Sequence, residues 1–392
     1  MYKFKSQSAR IAVAALVLAV TVTAVPAVPG LSGLFGRETP IAHGAAAQKV
    51  IYTLNIKPFK QSGQLYLPLR EVATQLDLHL TYSQASKSYQ LTGITNTAQL
   101  KAGSSRVTSK TGAVLSIGAP VLVKNGVTYV PASLFSKLFS IPVTSSGDSN
   151  ISYAYSSRYI LAKAGDMLFW LNRTQNVLYG GQAGTVPARL GSIALKSPDW
   201  LYMDAHVFDK DTYVLEINNA HGEPHIFNDR IRVLVHDGKL ISQASMAYGG
   251  PSTVILQPDV LSYDGLIVMN HGNYAELLSP DGTVKDTLDF KNYGAADEVY
   301  SIEVLEEDFF LIRAYTLGIL LLVDRSSGSA VPLYKSLHNE EAINMIEHSE
   351  WGIGDELIYA GRTGNQLKFS VGTPYSSANP TVKFYTLQTS NP

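Results

Sequence analysis

Two stretches of the chain share one pattern of apolar and polar positions. Gly63-Gln64-Leu65-Tyr66-Leu67-Pro68 recurs 63 residues later as Gly126-Val127-Thr128-Tyr129-Val130-Pro131. Apolar residues follow at the spacing of one helix face: Leu69, Val72, Ala73 and Leu76 after the first copy, and Ala132, Phe135 and Phe139 after the second. The pattern predicts a duplicated unit with a helix after each copy.

Alternating segments around each helix predict strands. They are Leu78 to Tyr82 and Tyr89 to Leu91 after the first helix, and Ile141 to Thr144 and Ile151 to Tyr153 after the second. Ahead of the second helix, Asn125-Gly126 tolerates positive φ and closes a two-residue hairpin, and Ser62-Gly63 is the weaker equivalent. Each half is therefore expected to run strand, turn, strand, helix, strand, turn, strand.

This pattern closely resembles the copper amine oxidase N-terminal domain-like family, also called the stalk domain, of secreted proteins from Gram-positive bacteria. The resemblance rests on Leu67-Pro68-Leu69-Arg70-Glu71, on Tyr129 to Leu134 and on Ile117 to Val121 before the hairpin. It covers residues 50–154 and implies an extracytoplasmic α+β module. In the enzyme that gave the family its name, this domain is an accessory stalk and the copper lies elsewhere. The second copy has Ala132-Ser133 where the family usually has leucine and arginine.

The first 47 residues have the pattern of a Sec-type signal peptide. Three basic residues precede an uncharged apolar run from Ile11 to Val25, and Gly44 to Ala47 offers a cleavage site before Gln48. An uncleaved anchor stays open as the alternative, because Ile11 to Val28 is about long enough to span a bilayer. The chain has no cysteine, which excludes a lipobox and a disulfide framework. We expect an extracellular or cell-wall-associated protein with no membrane span after cleavage.

Net charge and chain length limit the kinds of partner and the number of domains. With residues 1–47 removed, 27 Lys and Arg face 31 Asp and Glu, a net charge of −4 that does not suit nucleic acid. A chain of 392 residues with 45% apolar content can bury two cores. We therefore expect a signal peptide at 1–47, the stalk domain at 48–155 and a second domain at 156–392.

Beyond Tyr155 short apolar runs alternate with turn residues, and helical periodicity nearly vanishes. Five of the runs begin with an aspartate, at separations of 45, 53, 44 and 47 residues. They are Asp166 to Trp170, Asp211 to Leu215, Asp264 to Val268, Asp308 to Ile312 and Asp355 to Tyr359. A period in the forties with about four short strands per unit is typical of a β-propeller blade. We expect an all-β domain that forms a propeller of five or six blades, with a β-sandwich or an irregular all-β domain as the alternative.

The second of these units is longer than the others. In four units another strand begins nine or ten residues after the aspartate, whereas in the second unit it is delayed to Arg230 to Val235. Asn218 to Asp229 is then expected to be an insertion of about ten residues.

The recurring aspartates admit two interpretations. A ring of carboxylates would be functional, but Asp before a strand most often bonds its own turn backbone, and we favour that reading. Amine oxidase chemistry would need a quinone-forming tyrosine in an Asn-Tyr-Asp/Glu motif and a His-x-His pair for copper. Asn273-Tyr274-Ala275 lacks the acidic residue, and the chain has no His-x-His. We therefore predict no catalytic, cofactor-binding or metal-binding residues and no amine oxidase activity.

Histidines and paired acids offer weaker signals. Five of the nine histidines fall within 66 residues: His206, His221, His225, His236 and His271. The i, i+4 pair His221 and His225 could bind zinc on a helix, but Gly222 and Pro224 disfavour a helix there. A polar loop is favoured, and a metal-binding loop stays open. The paired acids Asp297-Glu298 and Glu306-Glu307-Asp308 could supply acid/base chemistry, yet nothing fixes their separation.

Aromatic content gives the last indication. The chain has 22 tyrosines and three tryptophans, and exposed aromatic rings on a rigid sheet can stack on sugars or dock peptides. Tyr66 and Tyr129 are expected to pack within sheets instead. The leading hypothesis is a non-catalytic binding or scaffold protein whose stalk module presents a propeller to an envelope polymer or a protein partner. The alternative is an extracellular polysaccharide hydrolase or lyase that acts from the propeller face.

Overall fold

The computed structural model describes residues 50–153, 159–250, 254, 256–293, 295–349, 352–372 and 381–387, which belong to one compact unit. The predicted signal peptide at 1–47 and the predicted domain junction at 155–158 lie outside these residues. Within the described ranges, no helix is long and apolar enough to cross a membrane.

Residues 50–153 form an N-terminal module of short strands and two helices. Its elements are β1 (Val50–Thr53), β2 (Phe59–Gln61), β3 (Gln64–Pro68), α1 (Leu69–Gln75), β4 (His79–Ser83), β5 (Ser88–Thr92), β6 (Thr97–Lys101), β7 (Arg106–Ser109), β8 (Val114–Ser116), β9 (Leu122–Lys124), β10 (Val127–Pro131), α2 (Ser133–Phe139), β11 (Val143–Ser145) and β12 (Asn150–Tyr153). The predicted duplication is confirmed, because β2-β3-α1-β4-β5 repeats as β9-β10-α2-β11-β12.

The two halves meet at a symmetric strand pair. β3 and β10 are antiparallel in the sheet order β2-β3-β10-β9, with Leu67 opposite Val130. On either side of this pair, Tyr66 faces Pro131 and Pro68 faces Tyr129. In each case the tyrosine of one copy lies opposite the proline of the other, so the pairing has two-fold symmetry. Both hairpins that lead into this pair close as predicted, with φ of 50° and 77° at Asn125-Gly126 and 50° and 75° at Ser62-Gly63.

One core fills the N-terminal module. The predicted face of α1 is buried throughout, and so are Phe135 and Phe139 of α2 and the predicted sheet tyrosines Tyr66 and Tyr129. The sequence pattern did not reveal β6, β7 and β8, which extend β4 and β5 into a five-stranded sheet between the two halves.

Residues 159–387 form five antiparallel sheets in chain order. Sheet 1 contains β13 (Tyr159–Ala164), β14 (Met167–Asn172), β15 (Val177–Gln182) and β16 (Ala188–Ser192); sheet 2 contains β17 (Trp200–Asp209), β18 (Thr212–His221), β19 (Phe227–His236) and β20 (Lys239–Gly249); sheet 3 contains β21 (Ser262–Tyr263), β22 (Leu266–Asn270), β23 (Tyr274–Leu278) and β24 (Val284–Asp289); sheet 4 contains β25 (Tyr300–Leu305), β26 (Phe309–Ala314), β27 (Leu320–Asp324) and β28 (Ser329–Pro332); sheet 5 contains β29 (Leu357–Thr363), β30 (Gln366–Val371) and β31 (Thr381–Thr386). Each period of about 45 residues read from the sequence corresponds to one sheet.

Each sheet packs on the next through a separate core. The core between sheets 1 and 2 includes Phe169 and Leu215, that between sheets 2 and 3 Val214 and Met269, that between sheets 3 and 4 Val268 and Phe310, and that between sheets 4 and 5 Phe309 and Phe369. Successive residues of a strand point to opposite faces, so a strand such as β22 supplies Val268 to one core and Met269 to the other. This explains why these strands read as continuous apolar runs rather than as alternating ones.

Two features of this region differ from the sequence expectation. The expected insertion at Asn218 to Asp229 is not a separate loop, because β18 and β19 extend through most of it and pair from Thr212↔His236 to His221↔Phe227. Helices also occur between sheets 4 and 5, namely α3 (Tyr334–Leu337) and α4 (Glu340–Glu347). The side chain of Asn339 accepts a hydrogen bond from the Ala342 amide and caps the N-terminus of α4. With four and eight residues, α3 and α4 are too short for a clear helical periodicity in the sequence.

Candidate functional site

One face of sheet 2 reaches beyond the sheet that packs on it. The strands of sheet 2 have 10 or 11 residues, whereas β22 and β23 of sheet 3 have five each. The near end of the face, with Val214, Leu234 and Ala244, packs on sheet 3. At the far end Met246 and Tyr248 on β20 are buried, with Tyr248 against Tyr315, whereas the β17 side is exposed and carries polar and aromatic side chains. We call this far end the open face.

Strand register arranges the open face in rows. Asp204, Glu216 and Arg232 are direct cross-strand neighbours on β17, β18 and β19. The next row holds Tyr202, Asn218 and Arg230, and the last row begins with Trp200. Cross-strand neighbours lie about 5 Å apart at Cβ, so these side chains form one continuous surface.

The two arginines of the open face hold the segment that leads to sheet 3. Arg230 donates from Nη1 to the Gln257 carbonyl at 2.6 Å and from Nη2 to the Leu256 carbonyl. Arg232 donates from Nη1 to the carbonyls of Val260 and Val268, both at 2.7 Å. Backbone carbonyls of a crossing segment need donors, and a guanidinium supplies several in a fixed fork. The arginines are therefore occupied as structural clamps.

Glu216 lies at the centre of this arrangement. Its Oε1 accepts Arg232 Nη2 at 2.6 Å, and its Oε2 lies 3.3 Å from Nε2 of His206. Arg232 is 7% exposed, so its charge depends on this carboxylate for compensation. Both carboxylate oxygens of Glu216 are therefore engaged by neighbouring side chains.

Asp259 closes the inner wall of the open face. Its Oδ1 accepts both the Ile302 amide at 2.6 Å and Asn270 Nδ2 at 2.8 Å. Burial raises the pKa of this carboxyl, and the hydrogen bonds together with the charge of Arg232 only partly oppose that rise.

A cavity of about 300 Å³ lies between the open face and the segment around Pro258. It is lined by both rows of polar side chains together with Asp259 and Asn270. Tyr202, which lines the cavity, is 57% exposed, and Trp200, two residues away on the same side of β17, is 70% exposed. The Tyr202 hydroxyl donates to Asp204 Oδ2 at 2.7 Å, and this bond raises the pKa of Tyr202. Aromatic faces beside carboxylate and amide acceptors can stack on a ring and accept its hydroxyl hydrogen bonds.

The sequence analysis did not single out Trp200 and Tyr202. The available signal was the run Trp200-Leu201-Tyr202-Met203, where large apolar residues occupy both faces of one strand. Leu201 and Met203 face the core with sheet 1, so the two aromatic residues must face outward.

The clustered histidines are separated by the fold, and four of them lie beside carboxylates. The pairs are His206 with Glu216 (3.3 Å), His221 with Asp229 (3.1 Å), His236 with Asp237 (3.6 Å) and His271 with Glu276 (3.5 Å). The segment from His221 to His225 is the turn between β18 and β19 and not a helix. Among the residues that the structure describes, no three His, Asp or Glu side chains form a metal-binding group.

The five recurring aspartates have different surroundings. Asp211 and Asp264 occupy turns with φ of 55° and 48°. Asp308 receives a bidentate pair from Arg362 at 2.7 and 2.6 Å, and Asp355 is buried against Arg313 at 2.7 Å. Asp308 and Asp355 belong to ion pairs with different arginines, Asp211 and Asp264 lie in separate turns and Asp166 is exposed, so the five do not share one set of contacts.

The paired acids and Tyr274 are held in local contacts. Asp297 pairs with Lys291 at 2.8 Å, and Glu298 accepts the Thr316 amide at 2.7 Å. Tyr274 stacks on His271 with ring centroids 4.4 Å apart.

Because the family that the N-terminal module resembles is named after a copper enzyme, we ask whether this module could bind copper. Between residues 50 and 153 the donors that copper prefers are limited to His79 and three acids, Glu71, Asp77 and Asp148. Glu71 already accepts the backbone amides of Asn55 and Ile56. This donor set does not fit a copper centre, which needs several imidazoles in fixed geometry.

Comparison with known proteins gives one firm similarity. No curated protein matches the chain. Solved structures with weak likeness include a nidogen/laminin complex, at 12% identity over 70% of this chain and 91% of that chain with a TM-score of 0.23. Apo AztD from Citrobacter koseri is 10% identical over 65% of this chain and 84% of that chain, with a TM-score of 0.23. The dihydro-heme d1 dehydrogenase NirN is 10% identical over 65% of each chain, with a TM-score of 0.20.

TM-scores this low support no conclusion about fold or function. The N-terminal module, by contrast, matches a family model over residues 46–154, in agreement with the resemblance read from its doubled motif. Residues 46–154 are therefore a copper amine oxidase N-terminal domain.

Proposed function

We propose that the protein is a non-catalytic, exported binding protein whose N-terminal domain presents the open face of sheet 2 to an envelope polymer. The observation that carries the proposal is the pair Trp200 and Tyr202, exposed by 70% and 57% beside a polar cavity. Neighbouring aromatic rings beside a polar cavity provide a surface on which a ring-shaped ligand can stack. A saccharide chain suits the site, because its rings offer apolar faces for stacking and hydroxyls for Asp204 and Asn218.

The proposal includes the arrangement of the five sheets as a five-bladed propeller. Its support is the succession of antiparallel sheets, each packed on the next through its own core. Radial repetition of such sheets is the usual way to shield all but short edges. Cysteines placed on β13 and β31 test ring closure: a crosslink within one chain supports it, and a chain that forms crosslinks only between molecules contradicts it.

The binding test uses residues 48–392 and purified peptidoglycan in a sedimentation assay. We expect the double variant W200A/Y202A to bind roughly thirtyfold more weakly, since each aromatic contact is worth about 1 kcal/mol. The matched control is F384A, which removes a ring that is 53% exposed on β31. Equal binding by W200A/Y202A and the parent protein would refute the open face as the binding site.

A second candidate function is hydrolysis or lysis of a polysaccharide, and one observation favours it. Asp204, Glu216 and Asp259 line the same cavity, and paired carboxylates are the usual apparatus of glycoside hydrolysis. Reducing-end release from wall polysaccharide, lost in both D204N and E216Q, would establish the enzyme. We expect no release, because Glu216 is held by Arg232 and Asp259 by two hydrogen bonds.

Export and the lack of amine oxidase chemistry complete the proposal. Residues 1–50 fused to a reporter should release it outside the membrane with a mature start near Gln48, and recovery of Met1 on membrane-bound protein would establish an anchor instead. Purified protein should produce no hydrogen peroxide from primary amines. A peroxide signal abolished by Y274F would overturn that part.

A further inference from the structure

Positive charge is concentrated in the N-terminal domain. Residues 48–155 contain ten Lys and Arg but three Asp and Glu, a net charge of +7, whereas residues 156–392 contain 17 and 28, a net charge of −11. The modest total of −4 hides this division. A domain with such an excess attracts polyanions and repels polycations over the range of the Debye length.

A cleft at the edge of this domain gathers three nitrogen-bearing side chains. It has a volume of about 450 Å³ and lies between α1 and β4 on one side and β13 and the end of β14 on the other. Arg70 on α1, His79 on β4 and Arg173 after β14 line it. Asp77 is the one acid among its lining residues, and its Oδ2 accepts the Tyr159 amide at 3.3 Å.

The donors of this cleft lack partners in the described part of the chain. Nε2 of His79 and Nε of Arg173 are buried there without a hydrogen bond to any described residue. Neither Arg70 nor Arg173 forms an ion pair with a described residue, although other arginines of the chain do. Burial and the nearby charge of Lys163 lower the pKa of His79, which is the response expected where positive charge is uncompensated. A buried polar atom without a partner costs about 1–3 kcal/mol, so such a cleft favours a ligand that accepts these bonds.

We propose that this cleft binds a phosphodiester group of an anionic polymer. The donors come from separate elements on both walls, and a tetrahedral phosphate directs oxygens toward both walls at once. A carboxylate offers two oxygens in one plane and suits a single guanidinium fork. Thr74 on α1 also lines the cleft, but its hydroxyl already donates to the Arg70 carbonyl at 3.1 Å. The site is separate from the open face, so its failure and that of the saccharide site can be told apart.

The experiment measures binding of residues 48–392 to poly(glycerol phosphate) by calorimetry at fixed low salt. We expect R70Q/R173Q to bind at least tenfold more weakly, because charge-assisted hydrogen bonds are worth about 1.5–3 kcal/mol each. The matched control is K101Q/R106Q, which removes the same charge from exposed positions on β6 and β7 and should weaken binding less than threefold. W200A/Y202A should bind poly(glycerol phosphate) like the parent protein.

A second measurement uses the parent protein, so it does not require that the variants fold. The pKa of the His79 ring, followed by NMR in the parent protein, should rise when inorganic phosphate or poly(glycerol phosphate) is added, because an anion stabilises the imidazolium. Polygalacturonate, a carboxylate polymer, should bind more weakly than poly(glycerol phosphate). Equal losses in the two double variants, an unchanged His79 pKa or preference for polygalacturonate would each overturn the proposal.

Discussion

The two regions of this chain handle charge in opposite ways. In the N-terminal domain, the buried polar residues among those described are Ser88, Thr92, Thr97 and Ser152, and every charged side chain reaches solvent. The sheet region instead buries Arg232, Arg313 and Asp355. The two helices and the sheets of the N-terminal domain enclose one core of apolar side chains. In the sheet region, connecting segments run from one sheet to the next. The buried backbone N–H and C=O groups of these segments need hydrogen-bond partners, and charged side chains supply them.

Arg313 shows how that joining works. It lies on β26 of sheet 4 and donates to the Leu357 carbonyl of sheet 5 at 2.6 Å and to the Gly318 carbonyl at 2.9 Å. Its charge is compensated by Glu303 and by Asp355, whose other oxygen accepts the Leu320 amide at 2.6 Å. Arg232 plays the same part between sheets 2 and 3. A buried ion pair thus connects sheets 4 and 5, whereas the buried polar residues described in the N-terminal domain are uncharged.

The largest expected effect comes from breaking this connection. D355A should lower the free energy of unfolding of the sheet region by about 3–5 kcal/mol, because Arg313 would lose a buried partner and two amides would lose their acceptor. Urea unfolding followed by tryptophan fluorescence measures this, since all three tryptophans lie beyond residue 155. D166A, at the same position of the repeat but exposed, is the control and should change stability by less than about 0.5 kcal/mol. Equal effects would show that the buried pair adds nothing.

Separating the N-terminal domain from the sheet region should reduce stability less than D355A does. The hydrophobic cores do not cross residues 154–158, and contacts between the regions include Trp170 Nε1 to the Asp77 carbonyl at 3.0 Å and the Gly184 amide to Thr92 Oγ1 at 2.8 Å. Hydrogen bonds of this kind contribute about 1 kcal/mol each, so residues 48–155 and 156–392 should each unfold cooperatively when expressed alone. If neither fragment gave a cooperative transition by calorimetry, the comparison of two independent regions would be wrong.

Protonation of Asp259 should give the sheet region a pH dependence opposite in direction to the one that His79, with its lowered pKa, gives the N-terminal domain. Burial raises the pKa of this carboxyl in the folded state, so the folded protein binds the proton more tightly than the unfolded chain. Stability from this group is therefore present below the ordinary carboxyl pKa and is lost as pH rises through the folded pKa. D259N can keep both bonds through one oxygen, and its stability relative to the parent protein should increase as pH rises from 4 toward 7. The exposed control D204N should show no such trend.

The smallest effect is expected for an exposed pair. Arg362 forms a bidentate contact with Asp308 and lowers its pKa, but the two side chains are 28% and 48% exposed. R362Q should cost less than about 1 kcal/mol at neutral pH, and less still in 0.5 M salt. The lowered pKa means that this contribution is present above the ordinary carboxyl pKa and is lost on acidification through the folded pKa. A loss as large as that of D355A would remove the distinction between buried and exposed pairs.

Local rules made the N-terminal domain predictable from its sequence. Asn125-Gly126 specifies a hairpin by its φ angles, and Leu69, Val72 and Leu76 specify a helix face by their spacing. Neither inference needs a distant residue. The strands β6 to β8 were not predicted, because Thr97 to Ser116 mixes polar alternation with turn residues and has no counterpart in the other half.

The open face was harder to predict, because it depends on strand lengths in different sheets. The polar run around Asn218 read as a loop, although pairing with β17 and β19 makes it strand. Arg232 and Arg313 carry no sign of burial in their own segments, since their partners are as remote as Asp355. The division of charge between the regions was visible in the sequence and was concealed by the near-neutral total.

The symmetric register of β3 and β10 has a consequence for the origin of the N-terminal domain. A single half would expose the β3 edge, and two identical halves could pair there about a two-fold axis with Leu67 and Val130 at its centre. The repeat thus has within one chain the pairing geometry of a two-fold dimer. Joining the halves in one chain gives them a fixed effective concentration, so dilution cannot separate them.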